Sequence, residues 1–145
     1  MKTFAAPLLA LALIAAPALA RDTVVKVPLA DVLAMPEAQG KLDGSVQFFL
    51  AGQHTPAIKK KMGSDVSNQK TNAFNKTDEQ ACRWTILSAL ISFQNSAKQR
   101  GANAVVNLVS YYKKQETRDS ETIECHSGAL IAGAALKGEY AKIGK

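Results

Sequence analysis

The chain has 145 residues and a mass of 15.5 kDa, room for one domain but not for a second core of ordinary size. Hydrophobic residues make up 47% and charged residues 21%, a globular balance that excludes both a disordered tail protein and a multi-span membrane protein. The formal net charge is +6, and aromatics at 6% leave the core to small and aliphatic side chains.

Residues 1–20 read as a secretory signal. Lys2 gives a positive start, Phe4 to Ala15 is almost wholly apolar, and Ala18-Leu19-Ala20 has the small-x-small form cut before Arg21. Pro7 and Pro17 break the apolar run, which is shorter than the roughly 20 residues of a comfortable bilayer span. No cysteine follows the cleavage point, so the expected product is exported without a lipid anchor, into the periplasm or out of the cell. In that setting a positive excess favours anionic surfaces over nucleic acid.

Residues 21–63 form an N-terminal extension with short signals. Thr23 to Val27 is extended in character, and Leu29 to Met35 makes one or two helical turns opened by Pro28 and ended by Pro36. Ser45 to Leu50 is a strand candidate, and Pro56 to Lys61 reads as a turn or short helix carrying Lys59, Lys60 and Lys61.

Residues 64–145 form the better-defined unit. Asp65 to Phe74 is a polar strand, after which Thr77 and Gln80 form a capping box opening a long helix that Gly101 stops. Cys82, Ile86, Ala89, Leu90, Phe93 and Ala97 recur at three- and four-residue spacing as a stripe for a sheet. Trp84, Leu87 and Ile91 lie about 100° or more around the same helix and need another partner, either the folded-back N-terminal extension or a second subunit. Ala104 to Tyr112 is a strand with Ala104, Val106 and Leu108 on one side and Val105, Asn107 and Val109 on the other. A polar loop, Lys113 to Ser120, leads into one long strand, Glu121 to Leu136, bent at Gly128 and Gly133. The fold class is therefore α+β: strand, helix, strand, strand, with the helix on an antiparallel sheet.

The run from Ala97 to Tyr112, AKQRGANAVVNLVSYY, followed by a hairpin and the HSGALI segment, resembles the YbjQ-like family, and its pattern is also similar to the lipoprotein sensor domain of the Rcs envelope-stress pathway. The most specific portion is Gly101 to Val106, and the likeness spans about Ser64 to Leu136. The resemblance implies a dodecin-like unit, ring assembly in some relatives, and a heavy-metal-binding label. This chain departs from it in its signal segment, in lacking a lipidated cysteine, and throughout its N-terminal extension. An excinuclease label sometimes attached to such secreted relatives finds no GxxxxGK[ST] loop and no paired CxxC here.

Few residues carry chemistry. His54 and His126 have no sequence-near carboxylate or nucleophile in a recognised catalytic arrangement, and Ser127-Gly128 lacks the G-x-S-x-G elbow, so an enzyme is not expected. Lys59, Lys60, Lys61, Lys113 and Lys114 are the local basic clusters and the candidate anion contacts, set against the simpler reading of solvated faces. Cys82 and Cys125, the only cysteines of an exported chain, are expected to form a disulfide. The alternatives are buried free thiols, or a metal site with His126 and His54 as further ligands. The expected function is a small non-enzymatic envelope protein, without cofactor, that binds an envelope protein or anionic surface, in stress response or as a homo-oligomer; metal binding or buffering is the second reading.

Overall fold

The computed structural model describes residues 21–144, and the signal expected over residues 1–20 lies outside the described residues. In chain order the elements are β1 (Thr23–Pro28), α1 (Leu29–Leu33), α2 (Pro36–Lys41), β2 (Gln47–Leu50), β3 (Ile58–Asn72), α3 (Asp78–Arg100), β4 (Ala104–Ser110), β5 (Thr122–Ser127) and β6 (Ile131–Ile143). All six strands join one sheet, and α3 packs across one of its faces.

The centre of the sheet is β6. Along one edge it pairs with the 15-residue β3; its other edge is shared end to end by β4 and β5. Beyond these lie β2, parallel to β4, and β1, antiparallel to β5. The sheet is thus mixed rather than wholly antiparallel, because the N-terminal extension contributes β2, which runs parallel to β4.

Helix α3 forms for the reasons its sequence suggests. The Thr77 hydroxyl accepts from the Gln80 backbone N–H at 3.1 Å, and the Gln80 side chain accepts from the Thr77 N–H at 3.1 Å. Gly101, at φ 76°, takes the left-handed conformation that closes the last turn. Cys82, Ile86, Ala89, Leu90, Phe93 and Ala97 are all buried against the sheet with Val105, Leu108, Ile123, Leu136 and Tyr140. At the far end of the helix the Tyr140 hydroxyl donates to Asp65 at 2.9 Å, Arg100 donates to the same carboxylate at 3.0 Å, and the guanidinium lies 4.5 Å from the Tyr140 ring centroid. Burial, with the Asp65 charge adding to it, pushes the Tyr140 phenol up to about 12.

The second apolar group of α3 is covered by the chain's own N-terminal extension. Leu87 is wholly buried, while Trp84 and Ile91 pack half-buried against a core that includes Leu29, Val32 and Ala38 of α1 and α2. The buried Gln94 side chain clamps the extension in place, donating to the Lys41 carbonyl and accepting from the Asp43 N–H, both at 3.0 Å. Nearby, Lys98 and Ser45 hydrogen-bond the Asp43 carboxylate and hold it well below the usual carboxylate range. Trp84→Glu is expected to lower the unfolding free energy by about 2 kcal/mol or more, read from the urea midpoint. An unchanged midpoint with a fall in mass by light scattering would instead put this patch at a subunit contact.

Four local readings are corrected. Pro36 ends α1 but also opens α2, because a proline at the first helical position gives up only an N–H that has no partner there. Lys59, Lys60 and Lys61 belong to β3, not to a turn or short helix: pairing with β6 overrides the low strand preference of lysine, and an outer strand leaves their side chains in solvent. Glu121 to Leu136 is not one bent strand but β5 and β6 joined by a turn at Gly128–Leu130, closed by the Gly128 N–H on the Ile131 carbonyl at 2.8 Å. In β4 the alternation breaks at Asn107, whose φ of 52° and the register shift beside it mark a bulge. The extra residue puts Leu108 on the helix side with Val105, while Ala104 and Val106 pack with Ala141, Ile143 and Phe49 in a small second core on the other face.

Candidate functional site

The face of the sheet away from α3 carries the densest polar cluster, and strand alternation builds it. On β5, Ile123, Cys125 and Ser127 point into the core, so Glu124 and His126 share the opposite face. The pairing of β1 with β5 brings Asp22 beside them from 104 positions away. His126 Nδ1 lies 2.9 Å from Asp22 Oδ1, and Nε2 lies 2.8 Å from Glu124 Oε1. The side chain is 12% exposed, and the Tyr112 ring stacks on it with centroids 3.5 Å apart and planes 11° from parallel.

Carboxylate oxygens hold the ring at both nitrogens. The effect is to fix an aromatic platform on which the β4–β5 connection rests. After β4, the Tyr111 N–H donates to the Ala135 carbonyl at 2.7 Å and Tyr112–Lys114 forms one tight turn. Lys113 and Lys114 adopt φ of 52° and 63°, two successive side-chain-bearing residues in the left-handed region. Such backbone costs on the order of 1 kcal/mol or more per residue and persists only where its surroundings enforce it. Here the Tyr112–His126 stack, the Lys113 ammonium 5.5 Å from the Tyr112 centroid, and the Lys137 ammonium 5.3 Å from that of Tyr111 provide the enforcement. Arg118 closes the connection onto the bulge by donating to the Asn107 side chain at 2.8 Å.

Beneath this face, the Cys82 and Cys125 sulfurs are bonded to each other, with a Cα–Cα distance of 5.8 Å and both residues fully buried. The bridge ties the first turns of α3 to β5. Beside it the buried Ser127 hydroxyl donates to Asp78 at 2.8 Å, and this bond together with the Arg21 guanidinium holds the Asp78 carboxyl below its usual range.

The structure does not bring the four candidate metal ligands together. The two sulfurs are consumed by the disulfide on the helix side of the sheet, and His126 stands on the other side. His54 lies exposed in the β2–β3 connection, whose neighbouring Gln53 docks on Ser120 at the opposite end of β5. The lysines also fall into two groups. Lys60 and Lys61 pair with Lys142 and Ala141, whereas the Lys113–Lys114 turn is anchored at Ala135, about 23 Å away along β6 at about 3.3 Å per residue. Sequence reading missed Asp22, Glu124 and Tyr112 as members of one cluster; the alternation of Glu124 and His126 within TIECHS was the signal available.

Among the described residues no helix is long and apolar enough to cross a membrane. In comparison with known proteins, no family model matches the chain and no curated protein matches it.

Proposed function

We propose that this is a non-enzymatic protein of an oxidising, extracytoplasmic compartment that binds an anionic partner surface, with the Lys113–Lys114 turn as its recognition element. The observation that carries the reading is the enforced backbone of that turn: two lysines held in left-handed geometry on a stacked Tyr112–His126 pair. A recognition loop fixed before contact loses little conformational entropy on binding. The core disulfide supports an oxidising compartment, and with it export of the chain. The YbjQ-like resemblance belongs to this proposal as well. The order β3, α3, β4 follows what that resemblance implies, the helix stop and following strand fall on the block that carries it, and a role in envelope stress is what it adds.

The experiment is titration with poly-L-glutamate as a model anionic surface, followed by light scattering or calorimetry at rising salt. The expected result is binding that weakens steeply with ionic strength and falls about tenfold in Lys113→Gln/Lys114→Gln, at about 0.7 kcal/mol per exposed charge contact. Equal binding by the double variant would refute the assignment to this turn.

A further inference from the structure

The most exposed large apolar side chains of the described residues gather at one end of the molecule. Leu130 and Ile131, in and after the β5–β6 turn, are 63% and 56% exposed, and Phe74, in the β3–α3 connection, is 60% exposed. The two connections are tied together, since the Ala73 N–H donates to the Leu130 carbonyl at 2.8 Å. Three bulky apolar groups on adjoining turns form a patch instead of the scattered singles normal for a surface.

Cations ring this patch. Lys70 of β3 borders it directly, lining a groove with Leu130 and Ile131, and Lys76 follows Phe74 by two residues while donating to the Asn72 carbonyl at 2.8 Å. Arg21 reaches the same end, donating to the Gly128 carbonyl at 3.2 Å. Arg21 is itself ion-paired with Asp78 and Asp22 is held by His126, so Lys70 and Lys76 are the cations this patch presents, with Glu79 exposed in the first turn of α3. Apolar tips with a basic collar match a bilayer interface, where rings and aliphatic chains enter the acyl boundary and ammonium groups meet lipid phosphates.

We infer that the Phe74–Leu130–Ile131 end is a membrane-docking tip for anionic lipid, which makes a bilayer the anionic surface of the proposed function and rests on that reading. The test is co-sedimentation of the disulfide-bonded protein with vesicles of phosphatidylglycerol and phosphatidylcholine, with pure phosphatidylcholine vesicles and poly-L-glutamate in parallel. Expected results are binding to the anionic vesicles alone of the two and a loss of about tenfold or more in Phe74→Ser and in Leu130→Ser, from the partial burial of one large apolar side chain. Both variants should retain poly-L-glutamate binding and the native circular dichroism, since neither side chain is buried. Leu130→Trp should add an emission component that shifts to the blue on vesicle binding and is quenched by brominated acyl chains. Vesicle binding unchanged in both serine variants would overturn the tip. Poly-L-glutamate binding without vesicle binding would overturn it while leaving the proposed function standing, and binding to neither would remove both.

Discussion

Replacing Cys82 and Cys125 together with alanine is expected to lower stability by about 4 kcal/mol, the chain-entropy value for a loop of this size. The bridge closes a sequence separation of 43 residues that contains nearly all of α3, the whole of β4 and the strained turn. For a single domain this is a large share of a net stability on the order of 5–15 kcal/mol. Urea unfolding of the oxidised protein, of the same protein in reductant, and of the double variant measures it. The reduced and double-variant curves should fall together, and their stacked-ring and Ser127–Asp78 contacts should loosen with them, because the bridge fixes the start of α3 over β5 beside both. A shift below about 1 kcal/mol in both would mean that the pairing of β5 with β1 and β6 holds that end unaided.

Gly138→Val is the second change with a large effect. Gly138 lies in β6 where a Cβ would stand 2.7 Å from Val105 Cγ1 and 2.8 Å from Leu108 Cδ2, both in β4 on the helix side. Those neighbours are wholly buried. Overpacking of this kind costs about 1–3 kcal/mol, and a β-branched side chain at such distances belongs at the upper end. Combining Gly138→Ala with Leu108→Ala should cost less than the sum of the two single changes, since one makes the room the other requires. Strict additivity in denaturant midpoints would contradict the close approach.

What was legible in the sequence follows the range of the forces involved. Helix α3, its cap at Thr77, its stop at Gly101 and its buried stripe depend on residues within a few positions of one another, and they could be read directly. The disulfide was legible by a different route: a chain with two cysteines, read as exported, leaves one intramolecular pair. The hairpin at Gly128 was not, because Gly-Ala-Leu lacks the Asn-Gly or Asp-Gly signature and puts an apolar residue at the exposed tip. Nor was the bulge at Asn107, where a single left-handed residue reverses the faces of all that follow in β4. The candidate site was the least legible part, since Asp22, Tyr112, Glu124 and His126 meet only once the register of β1 on β5 is fixed.

That register also sets when the protein can finish folding. β1 begins the described chain, and its partner β5 is followed only by β6. As the chain is made, β1 emerges early and has no strand to pair with until β5 follows it. Contacts this distant in sequence make for slow folding, because loop closure must precede any gain from the pairing. The central strand comes last of the described elements, so the pairs β1 with β5 and β2 with β4 are not joined into one sheet until β6 is present. Such a topology delays closure of the sheet until the chain is nearly complete, and with it the meeting of Cys82 on α3 and Cys125 on β5.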